Sequence, residues 1–337
     1  VILDGLWYGT APAWQRVVAL ATLGPPSLAM RLGVSVRNGL FDAGLLPVTR
    51  VDGLQIVSVG NLVVGGSGKT PLVIFLARWA LAAGRRVAVL TRGYGRQGTT
   101  PLDFDATALP DEPRTSDEPR LVARKAPGAR IFVDSDRVRA AHAAKAWGAQ
   151  VVLLDDGFQH RRLARDVDLL IEVPDASPHV LPLGPGREPV SSRRRATVRI
   201  HGPASSDPTG RLLVERFVGP QGPVPRPGRA YVLSGIARPA RVLESLRALA
   251  VDVVGQSHFA DHHRFTSREL EQVSRAACSL GARVVTTEKD RERLPTDFDA
   301  VTVETALLMT RGLDTLARVL GWPEACAPVP SMEEGAP

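Results

Sequence analysis

The sequence is short of cysteine, of lysine and of unbroken apolar runs, and each shortage excludes something. Only Cys278 and Cys326 occur in 337 residues. Their number and separation argue against a disulfide framework or a cysteine zinc site and for a reducing compartment. No secretory signal is legible. The uncharged stretch between Arg16 and Arg31 is interrupted by Gly24, Pro25 and Pro26, and is expected to leave too little helix to cross a bilayer. Lysine is the rarest charge, with Lys69, Lys125, Lys145 and Lys289 standing against 38 arginines. A lysine kept in such a background marks a place where a flexible point charge fits and a planar fork does not.

What is present is ordinary for a soluble globular chain, with 44% hydrophobic and 23% charged residues. The length suits two domains with a sizeable core. A net charge of +7 and a pI near 10.1 point to an acidic partner: nucleic acid, a phosphorylated small molecule or an anionic membrane surface. Charge alone does not choose among them.

The decisive stretch is residues 56–71. An apolar run ends in Val63, Val64, Gly65, Gly66, Ser67 and Gly68, then Lys69, Thr70 and Pro71 open a second apolar run. This reads as strand, phosphate-cradling loop and helix. Backbone N–H groups close around phosphate oxygens only where side chains are absent, and a helix N-terminus adds partial positive charge. Lys69 is placed for the β- and γ-phosphates and the Thr70 hydroxyl for Mg²⁺. The loop is a variant, because Val63 stands where the full pattern asks for glycine.

The helix from Lys69 is expected to stop at Gly84, and residues 86–91 to form a strand ending in the turn Arg92-Gly93-Tyr94-Gly95. Ser116 is placed to cap a helix opening with Asp117 and Glu118. Residues 130–133 read as a strand, followed by a helix from Arg137 to Gly148. Residues 150–157 have the pattern of a buried parallel strand ending in Asp155 and Asp156, as a magnesium-positioning strand requires. Residues 203–228 read as peripheral connection and residues after Gly321 as a disordered tail. Between them a second α/β pattern runs through strands near residues 230–236 and 283–287. His258, His262 and His263 do not have zinc-ligand spacing. Residues 7–40, with Trp7, Trp14 and Leu20 among interspersed arginines, fit a membrane interface and a helix pair packed on the protein's own core equally well.

Taken together, Gly65-Gly66-Ser67-Gly68-Lys69-Thr70-Pro71, Arg92-Gly93-Tyr94, Asp117-Glu118-Pro119, Asp155-Asp156-Gly157-Phe158-Gln159-His160, Gly184-Pro185-Gly186-Arg187-Glu188-Pro189, Asp261-His262 and Thr287-Glu288-Lys289-Asp290 resemble the tetraacyldisaccharide 4'-kinase family. The resemblance covers nearly the whole chain. It implies an ATP- and Mg²⁺-dependent enzyme that phosphorylates an acylated glucosamine disaccharide 1-phosphate at its 4'-hydroxyl. The place implied is the cytoplasmic face of the bacterial inner membrane, held peripherally through an anionic membrane surface, with no nucleic acid and no obligate protein partner. It tips residues 7–40 toward the interface. It also implies that Asp117 and His262 form the catalytic pair, that Asp155, Asp156 and Glu188 join Thr70 at the metal, and that Arg92, Tyr94, Arg137, His160 and Arg187 contact phosphate or sugar. A glycine is expected where Ser116 stands.

The fold expected is α/β: a P-loop NTPase-like parallel sheet domain over residues 46–165 and a smaller Rossmann-like α/β domain over 166–325. A membrane-docking helical segment, 1–45, precedes them and a tail, 326–337, follows. Asp117 and His262 then fall in different halves, so domain closure is expected to assemble the site. Two other classes share part of the signal. A nucleotide hydrolase acting as a switch or metal chaperone would need the same loop and acidic strand, and a nucleic-acid-binding protein only the net charge.

Overall fold

The computed structural model describes residues 2–7, 11–65, 68–110, 112–173, 177–201, 209–236, 239–261 and 263–329. The chain enters through α1 (Ile2–Trp7) and the 30-residue α2 (Ala13–Asp42). Helix α2 runs through Pro25 and Pro26, so the break expected at the proline pair does not occur. The two carbonyls deprived of donors belong to residues 21 and 22, both exposed to water. Just past the pair, Ser27 Oγ donates to the Val180 carbonyl at 2.8 Å and pins the helix to the body. Among the described residues α2 is the one helix long and apolar enough to cross a membrane by length and composition.

The first sheet is assembled from β1 (Gln55–Asn61), β2 (Val87–Thr91), β3 (Leu102–Phe104), β4 (Arg130–Val133), β5 (Val151–Asp155), β6 (Val167–Ile171) and β7 (Val198–Ile200). Their order is β3-β4-β2-β5-β1-β6-β7, with β3 antiparallel to β4 and the other pairs parallel. Strands β2 and β5 are buried throughout, as continuous Val/Leu runs require when helices cover both faces. The covering helices are α3 (Lys69–Ala82), α4 (Glu112–Thr115), α5 (Asp117–Lys125) and α6 (Arg137–Trp147). Gly84, at φ +72°, follows α3. Asp136 caps α6 by accepting from the amides of Val138 and Arg139, and Gly148 ends it in the left-handed region.

The second sheet contains β8 (Thr209–Gly219), β9 (Gly222–Val224), β10 (Arg229–Ser234), β11 (Asp252–His258), β12 (Arg283–Thr287) and β13 (Val301–Arg311), in the order β11-β10-β12-β13-β8-β9. Helices α7 (Ala240–Ala248), α8 (Ser267–Ser279) and α9 (Glu288–Arg291) belong to it, and α10 (Leu313–Leu320) follows β13. Most of the stretch expected to be peripheral connection is β8 and β9. Strand β8 is held because β13 is equally long and pairs with it antiparallel from Val218 to Thr209. The chain leaves the first unit along β8 and returns along β13, so its two crossings are hydrogen-bonded to each other.

The expected partition at residue 165 does not follow the sheets, because β6 and β7 extend the first one. Nor do the described residues after Gly321, 322–329, form a detached tail. Met309, Leu316, Leu320 and Trp322 lie in the same core as Val57, Leu72 and Trp79. The Trp322 ring stands edge-on to Trp79 at 5.6 Å, its Nε1 donates to Gln55 Oε1 at 2.8 Å, and Trp79 Nε1 donates to the Pro323 carbonyl at 2.8 Å. Residues 330–337 lie outside the described residues.

Trp322→Ala is therefore expected to cost about 3 kcal/mol, the range for emptying a buried tryptophan site. Chemical denaturation measures it, and a midpoint equal to wild type would show that the C-terminal segment is not part of the first core.

Candidate active site

Strand β1 ends at Asn61 and α3 begins at Lys69, next to the point where the strand order reverses, the usual ligand crevice of an open α/β sheet. Gly66 and Ser67 lie outside the described residues. Gly68 caps α3 at φ +89°, a left-handed entry that suits glycine. Lys69 Nζ donates to Asn61 Oδ1 at 3.2 Å and lies 3.5 Å from Asp156 Oδ1. Thr70 follows in the first turn of the helix. The loop is laced to the Gly184–Pro189 motif: the Val64 amide donates to the Pro185 carbonyl at 2.8 Å and the Arg187 amide to Leu62 at 2.7 Å. Close approach also explains Gly60, where a Cβ would sit 2.5 Å from that of Phe158. That contact packs the Asp-Asp-Gly-Phe turn against the end of β1.

The acidic strand end delivers two carboxylates of different character. Asp155 is buried, and burial, then Glu118 and Asp156, push its carboxyl up to about 7. Asp156 has φ +55°. Burial alone would raise it, yet Lys69 and Arg187 outweigh that and hold it below the usual carboxylate range. Arg187 Nη1 donates to Asp156 Oδ2 at 2.5 Å, while Asp156 Oδ1 is buried with no hydrogen-bond partner. A buried carboxyl that resists ionisation, beside a carboxylate oxygen that makes no hydrogen bond and faces the Lys69 ammonium at 3.5 Å, fits a divalent cation. Among the described residues no group of three or more His, Cys, Asp or Glu could hold a metal. Mg²⁺ does not need one, since it is commonly held by one or two carboxylates together with phosphate and water.

Asp117 opens α5 and is 1% exposed. Ser116 does occupy the N-cap position, but its side chain makes no capping bond. Instead Asp117 Oδ1 accepts from the Glu118 amide at 2.9 Å. Ser116 has φ +70° and ψ 172°, a conformation otherwise reserved for glycine that costs about 1–3 kcal/mol. The expectation of glycine here therefore has a backbone cause.

Two cations from the second unit reach this helix start. Lys289 Nζ lies 3.1 Å from Glu118 and 3.4 Å from Asp261, and Arg293 Nε lies 3.4 Å from Asp117 Oδ2. Farther along α5, Arg120 and Arg124 pair with Glu292 at 3.0 and 2.8 Å. Lys125 pairs with Glu288 at 2.6 Å, Glu304 at 3.1 Å and Glu215 at 3.5 Å. Helix α5 is thus bound to the second unit along its length.

His262 lies outside the described residues. Its neighbour His263 pairs with Glu269 at 3.1 Å and stacks on Phe259, and His258 Nδ1 lies 2.7 Å from Ser234 Oγ. Arg137 is buried, and burial lowers it to about 10, still cationic at neutral pH. It donates to the Asp134 and Asp155 carbonyls from behind the acidic strand end. Burial, then Arg137, pushes His160 down to about 4, leaving a neutral ring whose Nε2 is buried without a hydrogen-bond partner. Arg92 and Tyr94 are exposed together at the end of β2, with Nη1 donating to the phenol at 3.1 Å. Glu188 is held differently from its expected metal role. It accepts from Asn38 of α2 at 2.8 Å and pairs with Arg195 at 3.0 Å, so a metal there would have to displace a guanidinium. A cleft of about 440 Å³ between α2 and residues 178–191 is lined by Leu20, Ser27, Leu28, Arg31, Val180 and Leu183 among others.

Sequence reasoning left out Asn61, Glu118, Lys289 and Arg293 as site residues. The scarcity of lysine, used for Lys69, flags Lys125 and Lys289 equally well, and both proved to be cross-unit anchors.

A sequence-family profile described as tetraacyldisaccharide-1-P 4'-kinase (LpxK) matches residues 19–316. The chain belongs to this family. It is 38% identical to the tetraacyldisaccharide 4'-kinase of Anaeromyxobacter sp. (strain Fw109-5), the alignment covering 95% of each chain. It is 34% identical to that of Syntrophus aciditrophicus (strain SB), over 86% of this chain and 88% of the relative. A crystal structure of the "apo" form of LpxK from Aquifex aeolicus in complex with ATP aligns with 91% of this chain and 98% of its own, at 27% identity and a TM-score of 0.74. Membership of the LpxK family disfavours both the hydrolase and the nucleic-acid-binding readings.

The raised Asp155 carboxyl sets a pH dependence for the protein free of metal and nucleotide. The folded state holds this proton more tightly than the unfolded chain does. The resulting stabilisation is complete below the ordinary value of 3.8 and is lost as pH rises through about 7. Asp155→Asn should therefore gain in melting temperature over wild type as pH rises from 4 to 7 and level off above. A difference that does not vary with pH in EDTA would refute the assignment.

Proposed function

We propose that this chain transfers the γ-phosphate of ATP to the 4'-hydroxyl of tetraacyldisaccharide 1-phosphate, giving lipid IVA in lipid A biosynthesis. The observation that carries the reading is the meeting of two sets of groups at one end of the first sheet. Lys69 and the acidic strand end supply a phosphate site, and Asp117 and Glu118 are brought there by cations of the second unit. The nucleotide phosphates sit at the glycine loop before α3, with Lys69 on the β- and γ-phosphates, while the Val64 amide is held by the Pro185 carbonyl. Thr70, Asp155 and Asp156 would hold Mg²⁺, which would neutralise charge on the phosphates when bound. Arg187 and Lys69 keep Asp156 ionised.

In the transfer the 4'-oxygen attacks the γ-phosphorus and the bond from that phosphorus to the β-phosphate oxygen breaks. ADP departs, and the hydroxyl proton passes to Asp117. A loose transition state places little demand on base strength, so a fixed carboxylate suffices. His262 steadies Asp117. Arg92, Tyr94 and His160 contact the sugar and its phosphate, while Arg137 acts from behind the acidic strand end through its bond to the Asp155 carbonyl. Glu188 serves as a strut between α2 and the phosphate loop.

The same reading places the enzyme at the cytoplasmic face of the bacterial inner membrane. Trp14, Val17, Leu28, Leu32 and Val36 are exposed on α2. Ser27 and Asn38 tie the helix to the body, which leaves residues 13–26, about 21 Å of helix at 1.5 Å per residue, free of those ties. That is shorter than the hydrocarbon core of about 30 Å, so α2 docks on the membrane and does not span it. The apolar cleft beside Arg31 then receives an acyl chain.

With labelled ATP and the disaccharide acceptor, wild type should form the 4'-phosphorylated product only with Mg²⁺. Asp117→Ala and His262→Ala should each lower kcat by about 100-fold or more. Wild-type turnover in both removes the catalytic pair, and rapid ATP hydrolysis without acceptor would revive the hydrolase reading. Separately, Leu28→Glu/Leu32→Glu should reduce flotation with vesicles containing anionic lipid while ATP binding stays intact. Equal flotation would count against docking through α2.

A further inference from the structure

The groups on the second unit that face Asp117 do not belong to the nucleotide site, and one of them makes an unusual set of contacts. Arg293 follows α9, and its side chain is 2% exposed. Its Nη2 donates to Asp290 Oδ1 at 2.5 Å and to the Gly235 carbonyl at 3.0 Å, and its Nη1 donates to the His263 carbonyl at 3.0 Å. The guanidinium carbon lies 5.7 Å from the centre of the Phe265 ring. Asp290 is itself fixed, accepting from the Gly235 amide at 3.0 Å and from Thr287 Oγ1 at 2.7 Å. The remaining edge of the fork, Nε, makes no hydrogen bond and points its charge across the seam at Asp117 Oδ2, 3.4 Å away.

We propose that Arg293 is a positioning residue: one guanidinium, anchored on Asp290, holds the Asp117 carboxylate in place and ties it to the loop that carries His262. The inference rests on reading Asp117 and His262 as the catalytic pair. A merely stabilising role explains the contacts less well. Within the second unit the fork is already satisfied by Asp290, Gly235 and His263, so the approach to Asp117 adds nothing that unit needs. A buried ion pair contributes little net stability against an apolar replacement, because desolvation offsets the attraction. What the pair does supply is a fixed direction for a carboxylate at the start of a helix whose N-cap residue, Ser116, makes no side-chain capping bond. The pairing is charge against charge without a directed hydrogen bond, so an ammonium at the same place can replace it in part.

The test is steady-state kinetics of the full-length enzyme with Mg·ATP and the disaccharide acceptor, with melting temperatures measured alongside. Arg293→Met is expected to lower kcat about 30- to 100-fold, the cost of a catalytic group misplaced by about 1 Å, with KM for ATP within about twofold. Arg293→Lys is expected to recover about tenfold of that loss. In an Asp117→Ala background, adding Arg293→Met should change kcat by less than about twofold, because both act through one group. If Arg293→Met fails to fold, Arg293→Met/Asp290→Asn removes the carboxylate left unpaired and carries the same expectations. Wild-type kcat in the folded Met variant, a Lys variant no better than Met, or losses that multiply with Asp117→Ala would each overturn the proposal. If Asp117→Ala alone turned over normally, the catalytic pair itself would fall. A crippled Asp117→Ala beside a fully active Arg293→Met would sink this inference only.

Discussion

Four carboxylates, Asp117, Glu118, Asp155 and Asp156, are gathered at one end of a sheet, largely out of water, and the rest of the structure answers to that concentration of charge. Unbalanced, such a group would protonate or push the elements apart, since like charges in a low dielectric cannot all stay ionised. Asp155 shows the tendency directly in its raised carboxyl. The balance comes from Lys69 on α3, Arg137 on α6, Arg187 on the glycine-proline loop, and Lys289 and Arg293 on the second unit. The cations arrive from four separate parts of the chain, so the site exists only when the whole fold is in place.

This division explains what could be read in advance. The phosphate loop and the acidic strand are local signals: glycines, a lysine and a helix over one short stretch, an apolar run ending in acid over another. Both landed where their patterns put them, at the ends of β1 and β5. The partners of Asp117 are not local. Nothing near residue 117 announces Lys289 or Arg293; the rarity of lysine and the Thr287-Glu288-Lys289-Asp290 motif marked the first without naming its partner. The misreadings have the same origin. Pro25 and Pro26 sit inside a helix because exposed carbonyls are solvated and Ser27 is tethered to a residue 153 positions away. The proline- and glycine-rich stretch before β10 holds a long strand because β13, from much later in the chain, templates it. Trp322 belongs to the first core because Trp79 offers an edge-on partner. In each case a long-range contact overrode a local preference.

Arg187 and Glu188 show how the membrane-facing helix and the nucleotide site are made continuous. Arg187 bonds the Leu62 carbonyl through its amide and Asp156 through its side chain, and the next residue, Glu188, bonds Asn38 of α2 and Arg195. Two consecutive residues therefore connect the phosphate loop, the acidic strand and α2. Glycines at 184 and 186 make this possible, since a Cβ at either would fall within 2.8 Å of the His179 carbonyl oxygen. A metal role for Glu188 would sacrifice this connection.

The cations also separate the reaction into two halves. Lys69 and Arg187, on the first unit, hold Asp156 beside the proposed phosphate site, whereas Lys289 and Arg293, on the second, pair with Glu118 and with Asp117, the carboxylate proposed to take the hydroxyl proton. Yet Asp117 and Glu118 belong by sequence to the first unit. Helix α5 is therefore the member on which the two units must agree. Its N-terminus carries the proposed base, Asp117, and its Arg120, Arg124 and Lys125 are paired with carboxylates of the second unit. A change in the angle between the units cannot leave α5 untouched, because its ion pairs face one unit while its apolar side, including Val122 and Ala123, is packed in the core of the other. Any closure that brings donor and acceptor together therefore acts on this helix and on the paired strands β8 and β13, the elements that join the two units.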